Sequence, residues 1–171
     1  ELDVRLSQKY FKKSTWDVGY FQSSRHVSLD SINKVSFGLI KLMNINEADV
    51  EARTAFHIRG GDYRSVDRVT TNDVRIVIDE MACNLKKIFV VTNDVKFSSR
   101  IFESIDVDFE ISKLSSKDDF IAIATSKNIF VSNSSFSFWS AICAKNHHNS
   151  NVYSLNSWPY KDFLETHFPK G

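Results

Sequence analysis

Thr54-Ala55-Phe56-His57-Ile58-Arg59-Gly60-Gly61-Asp62-Tyr63 is the stretch on which the reading of this chain turns. The run Thr54–Ile58 predicts a short buried strand, which stops abruptly in an Arg, two glycines and an Asp. The glycines strip side chains from the loop, so a ligand can approach the backbone closely. Arg59 offers a planar fork of donors matched to phosphate or carboxylate. In an α/β sheet, ligands bind beyond the carboxyl ends of the strands, and a cation and an anion at that place make a site. The alternative is a hairpin turn whose Arg59 and Asp62 pair on the surface.

The segments that follow favour the first reading. Strands and helices alternate from residue 53 onward. A helix is predicted from Asp73 to Leu85, with Val74, Val77, Ile78 and Met81 inward, then a strand Ile88–Thr92 ending in Asn93-Asp94. Next come a helix from Lys96 to Glu103, a short strand Phe109–Ile111 and a helix from Asp118 to Ser126. Strand Asn128–Ser132 enters a helix starting at Ser134 or Ser135, and Val152–Ser154 closes the series. Near-continuous apolar strands with short links predict an α/β fold, a Rossmann-like parallel sheet flanked by helices. Upstream, residues 4–13 carry helical spacing, Gly19-Tyr20-Phe21-Gln22 reads as a strand or turn, and residues 28–43 are helical with Ile32, Val35, Leu39 and Leu42 on one face. The expected division is a helical lead-in over 1–50 and a Rossmann-like domain over 51–171.

The bulk numbers constrain the partner. With 22 Lys+Arg against 21 Asp+Glu the net charge is +1, so nucleic acid is not an expected partner and any affinity for phosphate is local. Cys83 and Cys143 both sit in apolar helical patterns and are expected to be free buried thiols. No apolar run approaches the roughly 18 residues of a membrane span, and no signal peptide is read at the amino terminus. The chain begins at Glu1 rather than Met, as expected of a piece of a longer product. Its bias toward Lys, Ile, Phe, Ser and Asn suggests an AT-rich bacterial genome. Those features together predict a cytoplasmic protein, compatible with a peripheral position at the inner membrane.

Three strand-to-helix junctions are polar in a suggestive way: His57–Asp62, Thr92-Asn93-Asp94 and Asn133-Ser134-Ser135-Phe136-Ser137. Ser hydroxyls and free N–H groups at a helix start bind anions without further charge. An ordinary N-cap accounts for one Ser, but not for the whole block from Asn133 to Trp139. Phe138 and Trp139 are assigned to packing.

In order and spacing these three junctions resemble the motifs of the α-1,2-fucosyltransferase family (glycosyltransferase family 11). Its pattern runs roughly His-x-Arg-Arg-Gly-Asp-Tyr, Ser-Asp-Asp, and Ala-Asn-Ser-Ser/Thr-Phe-Ser-Trp-Trp. Gly19-Tyr20-Phe21-Gln22 and Trp158 resemble further family elements, so the resemblance spans residues 19–158. It implies the donor-binding half of a GT-B-like inverting enzyme that moves L-fucose from GDP-β-L-fucose to a galactose-type hydroxyl of a glycan, as in polysaccharide biosynthesis. Family members carry roughly a hundred more residues at the amino terminus, so much of the acceptor-side half is expected to be missing.

The resemblance also implies roles. As the donor C–O bond breaks, charge builds on the β-phosphate and must be met by a metal or by fixed cations and N–H dipoles. The family pattern points to the second solution, with no metal and no cofactor. Arg59 would grip the β-phosphate, and the helix start at Asn133, Ser134, Ser135 and Phe136 would bind it from the other side. His57 would contact the nucleotide or orient Arg59. Asp118 or Asp119 would accept the guanine N1–H and N2–H₂, or else complement the helix dipole. Asp94 stands at the second Asp of Ser-Asp-Asp, with Asn93 in place of the first. Asp62 is the candidate general base, or the residue that holds Arg59. The pattern's second Arg is Gly60 here, which raises the alternative of a catalytically impaired GDP-sugar-binding domain. A plain interaction domain without a nucleotide site is a third reading.

Some signals are decoys. Asp106-Val107-Asp108 mimics a metal-binding Asp-x-Asp but reads as a solvated loop. His147 and His148 are adjacent on a helix and so point apart. Asn133-Ser134-Ser135 matches a glycosylation sequon, but at a strand-to-helix junction it would be inaccessible.

Overall fold

A computed structural model describes residues 28–46, 49–61, 68–81 and 87–155. The elements are α1 (Leu29–Met43), β1 (Glu51–Ile58), α2 (Thr71–Met81), β2 (Ile88–Thr92), α3 (Val95–Glu103), β3 (Phe109–Ile111), α4 (Ser116–Ala124), β4 (Ser126–Phe130), α5 (Ser135–His148) and β5 (Asn151–Tyr153). The fold is α/β, as the alternation of strand and helix patterns predicts. The segments expected at 4–13, 19–22 and Trp158, the end of the predicted helix beyond Met81, Cys83 and Asp62 lie outside the described residues.

All pairings are parallel, and the strand order is β3-β2-β1-β4-β5. β1 is the central strand because Thr54 to Ile58 are all buried and can be covered on both faces. The chain builds outward from β1 through β2 to β3, then returns to the other side of β1 to lay down β4 and β5. Alternation along β1 divides its side chains between two cores. Phe56 and Ile58 join Val74, Val77 and Met81 of α2 and Ile101 and Phe102 of α3. Ala55 joins Ile123 of α4, Phe138, Ala141 and Ile142 of α5, and Ile32 of α1. Phe56 is the hub of the first core, 5.7 Å edge-on from Phe102 and 5.1 Å from Phe130. Phe138 is buried and Trp139 packs partly buried against the same core, as expected.

α1 corrects one expectation. Its predicted apolar face included Val35 and Leu42, yet these are 46% and 74% exposed, while Ile32, Ser36 and Ile40 are buried. The helix is turned because it packs on α5 through a polar seam. Asn146 Nδ2 donates to Asn33 Oδ1 at 2.9 Å and to Ser36 Oγ at 2.7 Å, and Ser36 Oγ–H donates to the Asn33 carbonyl. Cys143 is a free, buried thiol on the same seam, and burial pushes its pKa up to about 12. Several boundaries also move: β1 begins at Glu51 rather than Thr54, α2 at Thr71 rather than Asp73, α4 spans Ser116–Ala124 rather than Asp118–Ser126, and β4 spans Ser126–Phe130 rather than Asn128–Ser132. No helix among the described residues is long and apolar enough to cross a membrane.

Candidate functional site

The reversal in strand order puts a topological switch point between the carboxyl ends of β1 and β4, where open α/β sheets form their ligand crevice. The first and third motifs meet there. His57, buried on β1, places Nδ1 2.5 Å from Ser132 Oγ, just past the end of β4. Its ring centroid lies 5.6 Å from that of Phe136 in the first turn of α5. Burial, with the Arg59 charge adding to it, pushes the His57 pKa down to about 3, so the imidazole is neutral near pH 7. Arg59 is half-buried at the strand tip, and its charge reaches the same ring that touches Ser132 and Phe136.

On the β4 side, Ser134 is the N-cap of α5 and makes no side-chain cap bond, unlike Ser28, Asp94 and Ser115 at their helices. Its N–H donates instead to the Ser132 carbonyl at 2.7 Å. Ser137 Oγ–H turns onto the Ser132 and Ser134 carbonyls at 3.2 and 3.1 Å. The Ser134 side chain thus leaves the first-turn N–H groups of α5 uncapped, which is the electrostatic condition for anion binding. Asn133 and Ser135 are half-buried and Ser134 is buried. Phe136 is half-buried between His57 and Phe120, whose ring it meets edge-on at 5.8 Å, so its ring serves packing.

The middle motif closes the other side. Gly60 N–H donates to Asn93 Oδ1 at 2.8 Å. A Cβ at Gly60 would stand 2.7 Å from Asp94 Cβ and 3.0 Å from Phe97 Cδ1, so the loop is built on a glycine at this position. Gly61 has φ +61°, a left-handed conformation that also favours glycine. Asp94 is the N-cap of α3, its Oδ1 accepting from Phe97 N–H at 3.0 Å. That carboxylate has a structural task beyond any toward a ligand.

The two acidic candidates of α4 separate. Asp118 is exposed and is tied to the N-cap Ser115: its N–H donates to Ser115 Oγ, and Ser115 Oγ–H donates to Asp118 Oδ2 at 2.7 Å. Asp119 is half-buried and accepts from the Ser112 hydroxyl at the end of β3. Desolvation holds its carboxyl above the usual range, the Ser112 hydrogen bond partly opposing this and the Asp118 charge adding to it. Ser132 and Ser112 went unassigned in the sequence, since a lone Ser at a strand end carries no signal of its partner.

The Asp-x-Asp and His-His decoys lie toward the amino ends of the strands, away from the site. Asp106 and Asp108 are exposed in the loop entering β3, and His147 and His148 stand in the last turn of α5. Among the described residues no group of three His, Cys, Asp or Glu is placed to hold a metal ion.

A scan against protein-family models and a search of curated proteins both gave no match. Among solved structures the chain is similar to two crystal structures of POFUT1 in complex with GDP, one from crystal form III and one a high-resolution dataset. Identity is 10% in both, with TM-scores of 0.48 and 0.45 over 73% of this chain. The chain spans 46% and 47% of those chains, less than half their length.

Proposed function

We propose that this chain is the donor-binding part of an inverting glycosyltransferase that transfers L-fucose from GDP-β-L-fucose to a galactose-type hydroxyl of a glycan, as an α-1,2-fucosyltransferase. The observation that carries the reading is the His57–Ser132 contact, which joins the tips of β1 and β4. It brings the Arg59 loop and the start of α5 to one switch point. The motif resemblance supplies the donor and the linkage. A cytoplasmic bacterial setting belongs to the same proposal and rests on composition.

In this reading Arg59 and the α5 N–H groups meet the charge that grows on the leaving β-phosphate. Removing one such donor typically costs about 3–4 kcal/mol of barrier. His57, neutral, contributes a hydrogen bond rather than a charge. Asp119 takes the guanine: the N1–H and N2–H₂ groups would complete the shell that Ser112 begins, and would stabilise the ionised form that desolvation disfavours. Asp62 removes the acceptor proton, or holds Arg59 in place.

A thermal-shift screen of GDP, GDP-fucose, GDP-mannose and UDP-sugars, with and without Mg²⁺, tests the donor. GDP compounds should raise the melting temperature without Mg²⁺, UDP compounds should not, and Arg59→Ala should remove the rise while the fold persists. A strict Mg²⁺ requirement, or equal response to UDP, would reject the reading. The tight seat of Gly60 favours a second reading, GDP-sugar binding without transfer, because no side chain can stand at the pattern's second Arg. Binding without turnover in a radiolabelled transfer assay selects it.

A further inference from the structure

The carboxyl ends of the strands form a rim whose polar groups change character from strand to strand. Around β1 and β4 stand the Arg59 loop and the uncapped start of α5, a place for anionic groups. Beyond β3, Ser112 donates to the half-buried carboxyl of Asp119. Asp94 follows β2, the strand between β1 and β3, and the two oxygens of its half-buried side chain differ in their surroundings. Oδ1 accepts from Phe97 N–H at 3.0 Å and caps α3. Oδ2 lies beside the glycine turn, 3.3 Å from where a Cβ of Gly60 would stand, and accepts no hydrogen bond among the described residues. The turn is tied to the β2 tip, since Asn93 Oδ1 accepts the Gly60 N–H at 2.8 Å. A carboxylate oxygen is thus fixed one strand away from the place for the diphosphate. It would repel a further phosphate oxygen, but a hydroxyl can donate to it.

We propose that Asp94 binds the ribose of the nucleotide, its Oδ2 accepting from the 2′- and 3′-hydroxyls. The inference rests on the donor-binding reading above and deepens it. The rim then takes the diphosphate at β1, the ribose at β2 and the base at β3, the order in which those groups are joined in the ligand. Neighbouring strands lie about 4.8 Å apart, so two steps along the rim cover about 10 Å, with the ribose at the midpoint. The strand order β3-β2-β1-β4-β5 is also that of dinucleotide-binding sheets, where an acidic side chain beyond the glycine turn takes a ribose hydroxyl. The cap through Oδ1 holds the carboxylate in place before the ligand arrives, so little freedom is lost on binding. Loss of a charged hydrogen bond of this kind weakens binding by about ten- to a hundredfold.

The test is calorimetric titration of the 171-residue chain, as wild type, Asp94→Ser and Asp94→Asn, with GDP, 2′,3′-dideoxy-GDP, GDP-fucose and UDP. Ser and Asn cap a helix about as well as Asp, so both variants keep the start of α3. Wild type should bind GDP about ten- to a hundredfold more tightly than its dideoxy analogue. Asp94→Ser, which loses both the charge and the reach of Oδ2, should bind the two alike, and Asp94→Asn should keep part of the preference. Each protein is judged by the ratio of two ligands, so a loss of stability alone does not imitate the result. If Asp94 only caps α3, both variants keep the wild-type ratio and the proposal falls. It also falls if wild type binds GDP and the dideoxy analogue equally, or if Asp94→Ser weakens GDP-fucose but not GDP, which would put the transferred sugar on this carboxylate. Wild type that binds UDP as well as GDP, with the ribose preference lost in Asp94→Ser, overturns the guanine reading and leaves the Asp94 assignment standing. Wild type that binds no nucleoside diphosphate overturns both.

Discussion

At the scale of single residues, Gly60 shows how a departure from a motif can be a packing requirement. Its absent side chain makes room for Asp94 and Phe97, residues of the neighbouring strand end and helix. Gly60→Ala should destabilise the protein by about 1–3 kcal/mol, as overpacking does, and urea denaturation measures it. His57 gives a prediction in pH. The unfolded imidazole takes up a proton near 6.5, the folded one only near 3. Stability from keeping it neutral is whole above pH 6.5 and is lost as pH falls from 6.5 toward 3, by up to about 1.4 kcal/mol per unit. Urea midpoints across that range should fall in wild type and fall less in His57→Gln. The identities of His57 and Arg59 were legible in the sequence, because an abrupt polar end to an apolar strand is a local pattern. Ser132 was not, since it lies 75 residues from the histidine it touches and nothing local pairs them.

At the scale of elements, the sequence pattern predicts all five described strands and the helices between them but misplaces the inner face of α1. A serine in a helical repeat reads as solvent-facing. Ser36 is buried because its hydroxyl donates to Asn33 and accepts from Asn146, which satisfies it away from water. The seam predicts its own energetics. Asn146→Ala removes the donor to Asn33 Oδ1 and Ser36 Oγ at a helix interface and should cost about 1–3 kcal/mol, whereas Leu42→Ser on the exposed face should change stability by less than about 0.5 kcal/mol. Thermal denaturation of the two variants separates them. Periodicity places the start of α4 two residues late because its N-cap, Ser115, and first turn lie outside the apolar repeat.

At the scale of the whole molecule, alternating strands and helices announced a parallel sheet, but not the order of its strands. Order depends on which side of β1 the chain chooses after β3, and that choice leaves no local mark. It nevertheless creates the switch point and, with it, the site. Phe56 is fully buried at the centre of this sheet, touching α3 through Phe102 and β4 through Phe130. Phe56→Ala should cost about 3–5 kcal/mol, a large part of the 5–15 kcal/mol typical of a domain, and lower the melting temperature accordingly.

The same central position of β1 has a consequence during synthesis. β4 reaches the ribosome exit some 75 residues after His57, a delay on the order of ten seconds. Until then one rim of the central strand stays bare, an invitation to pair with another nascent chain. The window in which a chaperone matters most for this protein is therefore set by the length of its β1-to-β4 excursion.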